Sequence, residues 1–323
     1  MANAELRLPT LEDVAAARAN IKARAIRTPL LKLNVEVPGT NIYLKLENLQ
    51  PLGSFKIRPA TNVLRSVDPA TLQKGVLTSS AGNFGQGLAL AARDLGIPVT
   101  VVVPEASALT KAAALAELGA KVVRVPFDTW WSVMMTRRFE GEQGLFVHPV
   151  AESAVVAGNA TIGMEILEDL PSVNTIVVPF GGGGLVSGIG SVMRRISPGV
   201  KMVVAESEAA QPAAAALANG GPIQVPHIQS FVDGMGSTSV LEDMWPLVRQ
   251  TVDEAGCASF LRIVETVRLL AARHHVIAEA AGAASLAVAL AGLAGKGNIA
   301  CIISGGNIDP PKLGDILNGR NPF

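Results

Sequence analysis

Short runs of aliphatic and β-branched residues recur along this chain, and stretches of helical character separate most of them. The runs are 41–47 (NIYLKLE), 76–80 (VLTSS), 99–104 (VTVVVP), 121–126 (KVVRVP), 145–148 (LFVH), 175–179 (TIVVP), 201–206 (KMVVAE) and 299–304 (IACIIS). Strands that are apolar on both faces belong inside parallel sheets covered by helices, so the alternation predicts an α/β protein with open, mostly parallel sheets. A Thr10-x-x-Asp13 capping pattern predicts the start of the first helix.

With 323 residues, two lobes or one large unit are expected. Apolar residues make up 49% and aromatics only 4%, so aliphatic side chains must build the core. Lys plus Arg and Asp plus Glu both number 27, which leaves no net field to draw nucleic acid or anionic lipid, and a small-molecule partner is expected instead. The two cysteines, Cys257 and Cys301, have no metal-type spacing and suit a reducing cytoplasm. No signal-peptide pattern opens the chain, and 280–295, alanine- and glycine-rich, reads as a buried helix rather than a membrane span. No appended regulatory domain is expected.

Three glycine-containing segments each follow a predicted strand and precede a predicted helix, where ligands of open α/β sheets gather. They are 79–87 (SSAGNFGQG), the tetraglycine Gly181-Gly182-Gly183-Gly184 with Leu185, and Ser304-Gly305-Gly306-Asn307. The tetraglycine can aim successive N–H groups at an anion, and a phosphate suits it. A bare strand-to-helix turn accounts for such a run equally well. A dinucleotide-binding oxidoreductase is the alternative from another class: Glu206 ends the next strand, but 181–190 does not complete G-x-G-x-x-G.

A fourth segment carries a lysine beside a glycine turn. The string LKLENLQPLGSFKIR from Leu44 to Arg58, followed in order by SAGNFGQG, HPVAESAVVAGNATIGMEIL at 148–167, GGGGL and SGGN, resembles the fold-type II pyridoxal phosphate enzymes. Within them it is most similar to the threonine and serine dehydratase and serine racemase group, and the similarity covers nearly the whole chain.

That resemblance implies the tryptophan synthase β-like fold, with a large cofactor-binding lobe at 1–49 and 149–323, a small mobile lobe at 50–148, and a homodimer. Lys56 then holds the cofactor as a Schiff base and moves the α-proton of the substrate. Gly181, Gly182, Gly183, Gly184 and Leu185 cradle the phosphate, Phe55 packs on the pyridine ring, Asn83 bonds its 3-hydroxyl, Ser304 faces its nitrogen, and Glu279 lies at its edge. Ser80, Ala81, Gly82, Asn83 and Phe84 form the substrate loop. The implied reaction converts a β-hydroxy amino acid to a 2-oxo acid and ammonia.

Departures from the group's pattern refine the expectation. Racemases place a serine where this chain has Ala81, which carries no transferable proton, so elimination is favoured over a racemase-dehydratase of the same group. Phe84 stands where histidine is frequent, which suggests a bulkier, even aromatic, β-substituent. Asn159 and Ala160 replace a Gln-Gly pair. Relatives bind a stimulating cation through acids at the positions of Glu206 and Pro212, and proline supplies no ligand, so no metal is expected. The four histidines, His148, His227, His274 and His275, suggest no ligand set either.

Overall fold

The computed structural model describes residues 6–80, 82–107, 109–232 and 234–322, without the side chains of 109–111. In chain order the elements begin with α1 (Leu11–Ile21), β1 (Leu30–Lys32), β2 (Thr40–Lys45), α2 (Ile57–Ser66), β3 (Val76–Ser79) and α3 (Asn83–Asp94). There follow β4 (Val99–Pro104), α4 (Leu109–Glu117), β5 (Lys121–Val125), α5 (Phe127–Thr136), β6 (Leu145–Phe146), α6 (Ser153–Asp169), β7 (Thr175–Pro179) and α7 (Gly184–Ile196). The chain continues with β8 (Lys201–Ser207), α8 (Pro212–Asn219), α9 (Trp245–Thr251), β9 (Glu254–Ala258), α10 (Phe260–Leu269), α11 (Ala280–Leu290), β10 (Gly297–Ile302) and α12 (Pro310–Leu317). Two compact units result, one from the chain up to Ala25 with Lys56–Asn159, the other from Ile26–Phe55 with Ala160–Phe323.

The first unit holds a parallel sheet in the order β5-β4-β3-β6. From β3 the chain steps outward through β4 to β5, then returns as β6 on the other side of β3, which makes the β3/β6 boundary a topological switch point. Ala60, Val63 and Leu64 of α2 and Leu88, Ala89 and Ala92 of α3 pack with Val76, Val99 and Val101. Trp130 and Val133 of α5 pack with Leu77 and Val102. The predicted Thr10 cap forms: Thr10 Oγ1 accepts from the Asp13 N–H and Asp13 Oδ2 from the Thr10 N–H. Although the sequence groups 1–49 with the larger lobe, α1 packs on α2, where Asn20 Nδ2 donates to Asn62 Oδ1 (3.0 Å) and Arg24 pairs with Asp94. A short helix with one apolar stripe needs a partner, and α2 supplies it.

The second unit holds six strands in the order β1-β2-β10-β7-β8-β9, parallel except for β1 against β2. Here the chain runs outward from β7 through β8 to β9 and returns as β10 on the other side of β7. The β7/β10 boundary is therefore a second switch point. As the alanine- and glycine-rich composition implied, α11 is buried around its circumference, among Val177, Val203 and Ile299. No helix of the described residues is long and apolar enough to cross a membrane.

Each of the eight predicted strands is present. Two further strands escape the pattern. β1 has only three residues, and β9 (EAGCA) lacks a β-branched residue because α11 packs close: a Cβ on Gly256 would lie 2.7 Å from Val288 Cγ1.

Beneath the β2 edge lies a polar network that the hydrophobic pattern conceals. Lys45 is fully buried, and its Nζ donates to Glu165 Oε2 (2.6 Å) and to the Thr28 carbonyl (2.7 Å). Thr28 Oγ1 donates to Glu47 Oε1 (2.5 Å), and Gln50 Nε2 donates to Glu47 Oε2 (3.2 Å). Removing one member of such a pair strands a charge away from water. Lys45→Met is expected to lower unfolding stability by about 3–5 kcal/mol, and Lys45→Met combined with Glu165→Leu by much less, read from urea unfolding.

Candidate active site

In the second unit, β2, β10 and β7 are neighbouring parallel strands, and the chain leaves the carboxyl end of each through one of the motifs. After β2, Leu52 (φ 68°) and Gly53 (φ 69°) adopt two successive left-handed conformations, which for leucine is a strained one. The turn is strapped to the SGGN segment beyond β10. The Phe55 N–H donates to the Ser304 carbonyl (3.0 Å), the Gly306 N–H to the Gly53 carbonyl (2.8 Å), and Asn307 Nδ2 to the Leu52 carbonyl (2.8 Å). Ser54 and Gly305 form an antiparallel bridge.

The start of α11 joins the same cluster, since the Glu279 N–H donates to the Gly305 carbonyl (3.0 Å). Phe55 and Glu279 are partly exposed there, whereas Ser304 is buried.

Beyond β7, the tetraglycine turns directly into α7. Gly183 has φ +88°, and a Cβ on it would lie 2.8 Å from Val248 Cγ2. The Gly181 carbonyl accepts from Ser237 Oγ (3.1 Å). First-turn N–H groups of a helix have no intrahelical acceptor, and among the described residues no side chain caps α7. Buried in the same turn, the Ser187 hydroxyl has no hydrogen-bond partner among the described residues. Such a turn could hold an anion on its backbone N–H groups, with Gly181 and Gly182 still reachable by solvent while Leu185 packs inside.

In the first unit, Lys56 caps the N-terminus of α2 without a side-chain cap bond. Its Nζ lies 3.5 Å from the Pro149 carbonyl, in the loop after β6, and 5.6 Å from the centre of the Phe84 ring, in the helix after β3. The amine thus sits at that sheet's own switch point. Ser80, Gly82 and Asn83 are partly exposed at the end of β3, where the Ser80 N–H donates to the Val102 carbonyl. Ala81 lies outside the described residues.

One expectation changes here. Phe84 is only 2% exposed and belongs to the aliphatic core with Leu88 and Val101. A ring consumed by packing presents almost no surface to a ligand, so it does not shape a pocket for a bulky β-substituent. Asn159 and Ala160 are likewise buried within α6.

Glu206 is 1% exposed, and both its oxygens are engaged at the start of α8, by the Ala213 N–H (2.7 Å) and the Ala214 N–H (3.0 Å). The helix N-terminus, with Pro212 as its first residue, thus takes up the Glu206 carboxylate. Among the described residues no three His, Cys, Asp or Glu side chains gather as a metal-ligand set. His274 Nε2 accepts from the Asn34 N–H (3.1 Å), a structural bond. Both cysteines are free thiols, and burial pushes the Cys301 thiol up.

The first unit offers a primary amine at Lys56 and an amide at Asn83, and the second a run of backbone N–H groups after β7 and a neutral hydroxyl at Ser304, each a group that could bind part of pyridoxal phosphate. Residues 21–305 match the family model described as pyridoxal-phosphate dependent enzyme. The chain belongs to this family. Pyridoxal phosphate is accordingly its cofactor, and the dinucleotide alternative falls.

The protein is 39% identical over 314 residues to an L-threonine ammonia-lyase of Thermotoga maritima, covering 96% of this chain and 78% of that one. It is 34% identical over 318 residues to the L-threonine dehydratase catabolic TdcB of Staphylococcus aureus, covering 95% and 92%. Among solved structures it resembles maize serine racemase (TM-score 0.89, 29% identity, 97% and 98% covered). It also resembles the processed form of threonine deaminase isoform 2 from Solanum lycopersicum (TM-score 0.88, 28% identity, 95% and 87% covered).

Burial raises the Glu206 carboxyl to about 7 against the pull of its two N–H donors. A carboxyl raised by folding binds more protons in the folded state, so its contribution is present below the ordinary value of about 4.5 and is lost as pH rises through about 7. Between pH 5 and 7 the stability of the wild type should therefore fall. Glu206→Gln is expected to reduce that slope, by at most about 3 kcal/mol across the window, in denaturant unfolding at a series of pH values.

Proposed function

We propose that this protein is a pyridoxal phosphate-dependent dehydratase, an ammonia-lyase that converts threonine, and serine less efficiently, to a 2-oxo acid and ammonia. The observation that carries the reading is Lys56, a partly exposed amine at a helix N-terminus and at the switch point of its sheet, within a chain 39% identical to an L-threonine ammonia-lyase.

When bound, the cofactor supplies an electron sink that acidifies the α-hydrogen of an amino acid. Lys56 anchors it and, once freed by substrate, removes the α-proton from its own face. The N–H groups of Gly181 to Leu185 would hold the phosphate, Phe55 would support the ring, Asn83 would donate to the 3-hydroxyl, and Glu279 would border it. Ser304 presents a neutral hydroxyl to the ring nitrogen, which does not keep that nitrogen protonated as a carboxylate would, and so favours prompt loss of the β-hydroxyl over longer-lived carbanion chemistry. Ser80, with the backbone of 81–84, holds the substrate carboxylate; Phe84 contributes backbone rather than its ring.

The balance closes without an oxidant. The substrate loses its α-hydrogen and β-hydroxyl as water, and the released enamine tautomerises and takes up one water to yield the 2-oxo acid and ammonia. Ala81 supplies no proton from the opposite face, which supports elimination over racemisation. The resemblance and the unpaired thiols support a homodimer acting in the cytoplasm, and light scattering of the purified protein measures the former.

A panel of threonine, serine, 3-hydroxyaspartate and 3-phenylserine, assayed for 2-oxo acid and ammonia, should show the highest kcat/KM for threonine. Lys56→Ala should lower kcat by about a thousandfold or more, and retained activity in that variant would overturn the reading. Because the α8 N-terminus already engages Glu206, chelator and added magnesium are each expected to leave kcat/KM unchanged.

A further inference from the structure

An amine that removes a proton must aim its lone pair, and a four-carbon stem with free rotation does not do so unaided. Within its own unit Lys56 has the carbonyl of Pro149 as an acceptor, at 3.5 Å. That distance is longer than the usual N–H···O range of about 2.7–3.2 Å, so the carbonyl faces the amine as a loose contact that a small movement would tighten.

Pro149 belongs to a loop, 148–152, folded around one side chain. His148 is 4% exposed, and its Nδ1 accepts from the N–H groups of both Val150 (3.0 Å) and Ala151 (2.7 Å). The backbone N–H of His148 donates to Glu152 Oε2 (2.9 Å). Arg137 Nη2 closes the far side by donating to the Ala151 carbonyl (3.1 Å), and Phe146 meets the imidazole edge-on at 6.3 Å.

A nitrogen that accepts twice carries no proton, so the ring is the neutral Nε2–H tautomer. Burial first, then the charges of Arg137 and Lys56, push His148 down to about 3, and burial raises Glu152 to about 7. Across the working range the imidazole is a fixed acceptor.

We propose that His148 is a positioning residue for Lys56: by gathering the Val150 and Ala151 N–H groups at Nδ1, it sets the direction of the Pro149 carbonyl, which takes one N–H of the free amine and aims its lone pair. The inference rests on the proton-transfer role given to Lys56 above. It needs no contact between His148 and substrate.

The charged and titratable groups that bear on the loop within this unit are Lys56, Arg137 and Glu152. A carbonyl acceptor favours the protonated amine, so losing its aim should move the acidic limb of the kcat–pH profile to lower pH. In the holoenzyme with threonine, His148→Leu is expected to lower kcat about 10- to 100-fold with KM changed less than about twofold, and to shift that limb. His148→Asn, whose side-chain oxygen can stand in for Nδ1, should recover most of kcat and the original limb. Should His148→Leu fail to fold, His148→Gln takes its place, since its longer side chain carries the oxygen away from the Nδ1 position.

An unshifted profile, or a loss that asparagine does not relieve, would assign His148 to loop stability alone and overturn the proposal. Lys56→Ala separates the two levels. If it abolishes elimination while the His148 variants behave as wild type, only this inference fails; if it remains active, the functional reading fails.

Discussion

The backbone ladder between Gly53–Phe55 and Ser304–Gly306 is the contact that holds the motif-bearing strand ends of the second unit together. It joins the end of β2 to the end of β10, far apart in sequence but paired in register from Thr40 with Gly297 to Lys45 with Ile302. By fixing Phe55 to the Ser304 carbonyl, it sets the point from which the chain departs into Lys56 and α2. The left-handed conformation of Leu52 costs about 1–2 kcal/mol, and the Asn307 amide on its carbonyl is one of the bonds that hold it there. Backbone strain held in place by surrounding bonds is the pattern expected of a pre-organised site.

Both units obey the same sheet logic. In each, strands are laid outward from one central strand and the chain then returns to its other side, opening a crevice at the carboxyl ends. One switch point, between β3 and β6, receives the amine of Lys56; the other, between β7 and β10, receives the tetraglycine and Ser304. The buried Lys45–Glu165 pair and the Thr28–Glu47–Gln50 chain brace the segment that leads from β2 into this turn. Their charges are tolerable in the interior because each has a partner.

Much of this was legible from residue pattern. Aliphatic runs marked the central strands, the Thr10–Asp13 box marked the first helix, and the motifs marked strand ends, because local sterics and periodicity act over a few residues. β9 escaped detection because its small residues answer to α11 rather than to strand propensity. Lys45 and Glu47 lie inside the same motif as Lys56, and two charges in an apolar strand run are a signal of buried pairing. His148 was in view in HPVAE, but nothing in five letters shows an imidazole accepting two N–H groups.

The sequence by itself determined the α/β class through its aliphatic periodicity and, through the resemblance its ordered motifs carry, the pyridoxal phosphate family and the lysine proposed to hold the cofactor. Only the tertiary structure decided what surrounds them. It withdrew the Phe84 ring into the core, engaged Glu206 with the first N–H groups of α8, and folded 148–152 around His148 beside Lys56. Burial and hydrogen-bond partnership depend on which segments meet, and that is settled by packing between residues distant in the chain.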